Sequence, residues 1–246
     1  MSRTRLHALA VACALAACSK PPSQTDAPVT TPPKPTAVEA APASAPAAAE
    51  ASQATDTQAT SYVLPGDFAP DTSVASLRER FGAEQVQVGE VPGAEGEMFR
   101  GVILFPDDTT RRAYLYFQDE KALRGLSLIR VFESDTRWRL ATGVSMGMPL
   151  AELVRRNGQP IEYSGLEWDY GGSVSDLHGG ALAPPEDTAV RSHWRLGPAE
   201  REEGYPDNAY PVGDSMFSSD DPRYPRQGEF VVVRELSVSF PGEDDL

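Results

Sequence analysis

The sequence predicts an α+β protein in which short helices pack on antiparallel sheets, and three observations lead to this prediction. Two segments, 71–82 and 147–160, have the apolar spacing and end signals of short helices. Strand-like apolar runs follow the first helix and recur near the C-terminus. Residues 1–60 lack both patterns, so we expect the folded body to begin near position 61.

The N-terminus has the composition of an export signal. Arg3 and Arg5 precede an apolar run, Leu6 to Ala17, that is too short to span a bilayer as a stable helix. The run ends in Leu-Ala-Ala-Cys18, which resembles the lipobox of bacterial lipoproteins. The resemblance implies that Cys18 is acylated and becomes the mature N-terminus. An ordinary cleavage near Ala17, leaving a free thiol, is the alternative.

The residue after Cys18 bears on the destination. In the rule known for enteric bacteria, an aspartate there retains a lipoprotein in the inner membrane, and this chain has Ser19. The resemblance therefore implies a lipid anchor at the periplasmic face of the outer membrane. Because the rule varies between bacterial groups, the inner membrane stays open. One expected partner is thus the lipid bilayer itself.

The segment between the signal peptide, 1–17, and the folded body is rich in Ala, Pro and Thr. Residues 18–60 contain no aromatic residue, and Val29 and Val38 are their only larger aliphatic residues. Such a segment buries too little apolar area to offset the entropy cost of ordering. We expect a disordered tether that follows the lipidated cysteine.

Charge and cysteine content exclude several functions. The formal net charge is −14, and loss of the signal peptide removes two arginines. An acidic protein is a poor binder of nucleic acid, because phosphate neutralisation dominates that affinity. The two cysteines are Cys13, inside the signal, and Cys18. The folded body therefore has no disulfide, no cysteine metal ligand and no cysteine nucleophile.

The first half of the body has a helix followed by strands. Asp71 and Ser73 are both suitable N-cap residues for the helix, and Gly82 is a suitable residue to end it. The apolar stripe of the helix consists of Val74, Leu77 and Phe81. Four strand-like segments follow, at 85–91, 97–105, 111–117 and 123–131.

The second helix lies in Gly147–Pro160. Pro149 suits a first turn, Leu150, Leu153 and Val154 form the stripe, and Asn157-Gly158 predicts a left-handed C-cap.

The two helices align without a gap, and Leu126-Ser127-Leu128 resembles Leu236-Ser237-Val238. This pattern predicts two related modules, 61–140 and 141–246. The second module is the longer one, and its excess falls in an irregular insertion at about 197–228. Loops of that length in a compact domain are usually functional or disordered.

The second helix also carries a family resemblance. Gly147-Met148-Pro149-Leu150, Glu152-Leu153 and Asn157-Gly158-Gln159-Pro160 resemble the helix of tandem β-lactamase-inhibitor-protein-like modules and of the small outer-membrane assembly lipoproteins. The string GLEWDYGG, 165–172, is similar to one in uncharacterised bacterial lipoproteins of this layout. The resemblance implies one or two helices on an antiparallel sheet in each module, and protein binding without catalytic residues. The first copy lacks the Gly-Met start and the body lacks a cysteine pair, so inhibitor function is not implied.

No residue pattern predicts a catalytic, metal or cofactor site. Two histidines of the body, His178 and His193, could join Asp169 or Asp176 around zinc, but no spacing supports that set, and we expect His178 to be a turn residue. The segment 143–147 has the letters G-x-S-x-G without the buried strand that a nucleophile elbow requires.

Two aromatic segments are candidates for an interface, because Trp and Tyr are enriched in binding hot spots. The candidate residues are Trp168, Asp169 and Tyr170, beside two glycines, and Tyr205, Tyr210, Phe217 and Tyr224 in the insertion. Trp168 and Tyr170 as core residues beside a bulge are the alternative. We expect a non-catalytic module that binds a protein of the cell envelope. A periplasmic hydrolase or carbohydrate-active enzyme that uses surface carboxylates, and a binder of a small ligand or metal, are the alternatives.

Overall fold

A computed structural model describes residues 62–185 and 188–242. The described chain combines a few short helices with mostly antiparallel sheets, which confirms the α+β class. The predicted signal peptide (1–17), the lipidation residue Cys18 and the predicted tether (18–60) lie outside the described residues. No helix in the described ranges has the length and apolar character needed to cross a bilayer.

The helices are α1 (Val74–Phe81), α2 (Leu150–Asn157) and α3 (Gln227–Phe230), and a 3-10 turn spans Ala83–Gln85. The strands are β1 (Val63–Leu64), β2 (Val86–Pro92), β3 (Met98–Leu104), β4 (Ala113–Asp119), β5 (Arg124–Val131), β6 (Arg139–Leu140), β7 (Glu162–Ser164), β8 (Val174–Asp176), β9 (Arg191–Pro198), β10 (Met216–Ser218) and β11 (Val231–Ser239). The four strands predicted in the first half correspond to β2, β3, β4 and β5.

The largest sheet in the described part of the chain has six antiparallel strands in the order β2-β3-β4-β5-β11-β9. The C-terminal strand β11 therefore lies inside the sheet, between β5 and β9. A three-stranded sheet, β10-β7-β8, is linked to β9 by a bridge between Ser173 and Arg195. The short strands β1 and β6 pair in parallel.

Helix α1 begins and ends where its sequence signals predict. Of the two candidate caps, Ser73 is the one used: its Oγ accepts a hydrogen bond from the Ser76 backbone N–H, and Ser76 reciprocates. This reciprocal pair is a capping box, which satisfies donors that a helix start leaves free. Leu77 is buried in the core, and Gly82 ends the helix.

Helix α2 ends at Asn157, which does more than stop the helix. Gly158 has the left-handed conformation that the sequence predicts, with φ of 73°. The Asn157 side chain is buried; its amide donates to the carbonyls of Gln159 and Leu177, and its oxygen accepts from the Leu182 N–H. Asn157 therefore fastens the segment after β8 to the end of α2.

The core fills the space between the helices and one face of the sheet. Leu77 and Leu153 from the helices pack in the same buried cluster as Leu115, Ile129 and Val233 from the sheet. These strand residues alternate with side chains on the opposite face, as expected for a sheet buried on one side.

The predicted insertion is not wholly irregular. Between β9 and β11 the chain forms β10, which pairs with β7, and helix α3. The hydroxyl of Tyr163 on β7 donates to Gln227 of α3, whose amide in turn donates to the Ser218 carbonyl. Both Tyr163 and Gln227 are buried, so this network ties the segment to the body.

Candidate functional site

The face of the six-stranded sheet opposite the core carries a groove, and we call this the groove face. Alternation on β4 places Leu115 in the core and Tyr114 and Tyr116 on the groove face. Tyr114 is paired directly with Arg130 of β5 and Tyr116 with Leu128, so Leu128 and Arg130 share this face with the two tyrosines. A bulge in β5 follows, between the partners of Tyr116 and Phe117. Glu235 and Ser237 of β11 and Arg195 of β9 complete it.

A charge pair lies at the centre of the groove face. Arg130 makes two hydrogen bonds to the Glu235 carboxylate, both of 2.8 Å, with side chains 19% and 12% exposed. These hydrogen bonds are the main cause that raises the pKa of Arg130 above its usual value. Arg195 lies 3.8 Å from the same carboxylate. The central carboxylate thus has two cationic neighbours and is largely removed from water.

Aromatic rings surround this pair. Tyr114 stacks on Phe132 with ring centroids 4.5 Å apart, and the Arg130 guanidinium lies 5.7 Å from the Phe132 ring and 6.0 Å from the Tyr116 ring. The Tyr116 hydroxyl and Arg130 both donate to the Pro92 carbonyl, at the end of β2. Burial raises the pKa of the Tyr116 phenol, which therefore stays protonated as a donor. The end of β2, the turn that follows it and Phe99 at the start of β3 form one wall of the groove.

The segment after β7 forms the other wall. Tyr170 is 52% exposed, and its hydroxyl donates to Glu95 Oε1 across the groove at 3.0 Å, which raises the pKa of the phenol. Trp168 contacts Tyr170 edge to face at 5.5 Å, and its indole N–H donates to the Gly165 carbonyl. Arg195 donates to the Asp169 carbonyl and so holds the segment from the sheet side.

A glycine allows this wall to sit directly on β9. Gly172 has φ of 75°, and a Cβ there would lie 1.8 Å from the Leu196 carbonyl oxygen. The Leu196 N–H also donates to the Gly172 carbonyl. Only glycine fits such a contact in that conformation. The glycine beside Trp168 and Tyr170 therefore positions the wall against the sheet.

The two walls enclose a groove of about 440 Å³ that is open to solvent. Its lining includes Glu95, Phe99, Tyr116, Tyr170, Arg195 and Ser237.

The structure separates the interface residues that the sequence predicts. Asp169 and Tyr170 line the groove, and Trp168 packs against Tyr170 beside it. Trp168 and Tyr170 are both exposed, so the alternative of a core Trp and Tyr is wrong. The insertion residues do not line the groove.

Of the four insertion aromatics, only Tyr205 is exposed. Tyr210 and Phe217 are buried, because Tyr210 donates to Glu167 and packs on Tyr205, while Phe217 packs on Tyr224. Burial and the Glu167 contact raise the pKa of Tyr210. Tyr210 and Phe217 therefore serve packing, which corrects their assignment as contact residues.

The sheet residues of the groove were not predicted from the sequence. Tyr116 and Arg130 lie in segments predicted as strands without any function, and no role was predicted for Arg195 or Glu235. The sequence signal that could have identified them is a charged residue within an apolar strand, as in Leu-Ile-Arg130-Val and Arg-Glu235-Leu. A charged side chain there must point away from the core or be paired.

The histidines are also placed differently from the considered zinc set. His193, on β9, has its Nε2 3.3 Å from Ser239 Oγ. His178 instead lies beside Asp176 and Glu162, and these three residues can each present one ligand atom within 4.8 Å of the others. Asp169 belongs to the groove and not to this cluster.

Searches against protein-family models, curated proteins and solved structures return no match to this chain.

Proposed function

We propose that this protein is a lipid-anchored lipoprotein of the bacterial cell envelope that binds another protein through the groove face and catalyses no reaction. The observation that carries the proposal is the groove itself: aromatic rings and a desolvated Arg–Glu pair at its centre, with exposed Trp168 and Tyr170 at its edge.

The composition of the groove favours a protein partner. Binding hot spots are enriched in Trp, Tyr and Arg, and they lie near the centre of a contact from which water is excluded. Tyr116 and Arg130 occupy the centre here, and Trp168 and Tyr170 offer apolar rings with polar tips at the rim. Such rings supply a large contact area at low entropy cost.

The pairing of the charges favours binding over catalysis. A general base must reach a substrate proton with its own free oxygen. Both oxygens of Glu235 accept hydrogen bonds from Arg130, and Glu95 accepts one from Tyr170. These carboxylates are thereby held as parts of a rigid surface.

The order of strands supports two related modules. Helix α1 is followed by β2, β3, β4 and β5, and helix α2 by β7, β8, β9 and β11. The two series meet at the pairing of β5 with β11 and run outward from it in the same order, with β9 next to β11 and β8 linked to β9. Leu77 and Leu153, which align in the two helices, are both buried. A duplication with an insertion before β11 accounts for this arrangement, and the groove then lies at the seam between the modules.

The anchor rests on the lipobox resemblance at Cys18 and on Ser19, which favours the outer membrane. The aromatic groove and the acyl chains have separate roles: one selects the partner, and the other confines the protein to the bilayer surface.

Crosslinking in the native envelope tests the proposal. Ser237→Arg places a long charged side chain in the groove, and Ser239→Arg makes the same change two residues along the same strand and face, outside the groove lining. We expect the wild-type protein and Ser239→Arg to yield the same crosslinked protein and Ser237→Arg to lose it. Cys18→Ser should leave the membrane fraction.

Retention of the crosslinked protein by a folded Ser237→Arg variant would contradict the groove as the binding face. Retention of Cys18→Ser in the membrane fraction would contradict the anchor separately.

A further inference from the structure

We infer that Glu162, Asp176 and His178 form a binding site for a divalent transition metal ion, for which we specify Zn²⁺. The three side chains come from β7, β8 and the turn that follows β8, on a part of the molecule distinct from the groove. The inference is therefore independent of the proposed function.

The strand register brings the two carboxylates together. Glu162 on β7 is the direct partner of Asp176 on β8. A bulge follows this pair, since Tyr163 is opposite Val174 and Ser175 is left over. Side chains directly opposite in an antiparallel pair are close neighbours, and like charges there are destabilising. The register thus places two negative charges where a cation would be favourable.

Within residues 62–185 and 188–242, neither carboxylate forms an ion pair with an arginine or a lysine. The basic side chain within 4 Å of each carboxylate is His178. Its Nε2 lies 3.7 Å from Glu162 Oε1, and its Nδ1 lies 3.5 Å from Asp176 Oδ2. By contrast, Glu133, Glu152, Asp221 and Glu229 are each paired with an arginine. The two carboxylates of the cluster thus lack an arginine or lysine partner among the described residues, and one divalent ion would balance their two negative charges.

The position of His178 is set by the backbone. Its φ is 50°, and its N–H donates to Asp176 Oδ1 at 2.6 Å. Asp176 therefore uses one carboxylate oxygen to hold the turn and keeps Oδ2 towards the imidazole. The turn is also fastened through Leu177, whose carbonyl accepts from the buried Asn157. The histidine is thus presented by a fixed turn, although its side chain is exposed.

The distances suit zinc with small rotations of exposed side chains. Zinc binds imidazole nitrogen and carboxylate oxygen at about 2.0–2.2 Å, which separates tetrahedral ligands by roughly 3.4 Å. The separations of 3.7 Å to Glu162 and 3.5 Å to Asp176 start from different imidazole nitrogens, Nε2 and Nδ1. With a single ligand atom from each of the three residues, all the atoms lie within 4.8 Å of one another, so a small rotation of the exposed side chains brings them to the tetrahedral spacing. One imidazole nitrogen and two carboxylates fill three positions and leave the fourth for water. The nitrogen ligand favours zinc over calcium or magnesium, which prefer oxygen.

Calorimetry and thermal unfolding of the purified full-length protein with ZnCl₂ test the inference. The ligand variants are Glu162→Gln, Asp176→Asn and His178→Asn; asparagine tolerates the positive φ of the turn. The controls are His193→Gln and Asp207→Asn, which change a histidine and an aspartate outside the cluster. Cys13 and Cys18 can bind zinc themselves, but all the proteins share them, so differences between variants report the cluster.

We expect each ligand variant to weaken zinc binding at this site by roughly tenfold or more and to lose the rise in Tm that zinc produces in the wild-type protein. The controls should behave like the wild type. Without metal, Glu162→Gln should have a Tm equal to or above that of the wild type, because it removes one of two opposed charges. If Glu162 had only a structural role, Glu162→Gln would lower the Tm of the metal-free protein.

Three results would overturn the inference. They are the absence of zinc binding by the wild-type protein beyond its thiols, equal zinc affinity in the ligand variants and the controls, and a Tm rise with CaCl₂ as large as that with ZnCl₂.

Discussion

Removal of Glu235 should destabilise the protein more than removal of its partner Arg130, and the structure indicates by how much. Breaking a fully buried ion pair from one side costs about 3–5 kcal/mol, because the remaining charge is left buried without a partner. Here the two side chains are 19% and 12% exposed, and Arg130 keeps the Pro92 carbonyl. We therefore expect Glu235→Leu to lower the free energy of unfolding by about 2–3 kcal/mol.

Arg130→Met leaves a different situation. Glu235 would still have Arg195, whose Nη1 lies 3.8 Å away and can approach it. The expected loss is therefore smaller, about 1–2 kcal/mol. In the double variant apolar side chains of similar length fill the space, and the charge that remains is the more exposed Arg195, which still donates to the Asp169 and Gly171 carbonyls. Its loss should be less than the sum of the two single losses by about 2 kcal/mol.

Equilibrium urea unfolding at neutral pH, followed by tryptophan fluorescence, measures all four proteins. A matched control is Arg234→Met, one residue before Glu235, because Arg234 pairs with the exposed Glu200 and should change stability by less than about 0.5 kcal/mol. If Glu235→Leu also lies within about 0.5 kcal/mol of the wild type, or if the two single losses add up to the double loss, the pair is not the desolvated centre described above.

Two further predictions concern helix α2. Asn157→Asp keeps the size and the acceptor of the buried side chain but loses the donor to the Leu177 carbonyl. We therefore expect urea unfolding to show a destabilisation of about 1–3 kcal/mol. The control is Gln159→Glu, on the exposed side of the same turn, which should change the stability by less than about 0.5 kcal/mol. Hydrogen bonds from Arg155, and then from Arg156, lower the pKa of the Glu152 carboxyl from 4.5 to about 2. Because the pKa of Glu152 is lowered in the folded state, the stabilisation that Glu152 contributes is present above pH 4.5 and is lost as the pH falls towards 2. The difference in stability between the wild type and Glu152→Gln should therefore shrink across that pH range. A difference that stays constant with pH would contradict this prediction.

The parts of the fold that the sequence predicted are those set by local chemistry. Ser73, Gly82, Pro149 and Gly158 mark helix ends because capping and left-handed backbone depend on a few neighbouring residues. The first four strands were located for a similar reason, since their apolar runs are separated by short turns. The order of the strands depends on distant pairing and was not predicted.

The insertion shows where local reasoning fails. Its Pro, Asp and Ser content indicates an irregular loop, yet Phe217 lies on a strand that pairs with β7, and Gln227 is buried against Tyr163. Nothing in the letters around Phe217 and Tyr210 distinguishes an exposed aromatic ring from one that packs under its own loop. The burial follows from the position of β7, which is more than fifty residues away in the chain.

The groove itself depends on register at two places. Arg130 and Glu235 are 105 positions apart, and they meet because β11 pairs with β5. A bulge at Arg234 sets which residues of β11 share a face, since Val233 and Leu236 are both in the core and Glu235 points the other way. Without that extra residue, strict alternation would put Glu235 on the face of Val233 and bury its carboxylate among apolar side chains. The bulge thus allows a charged residue to lie close after the buried valines of β11, and it directs that residue towards the guanidinium of Arg130.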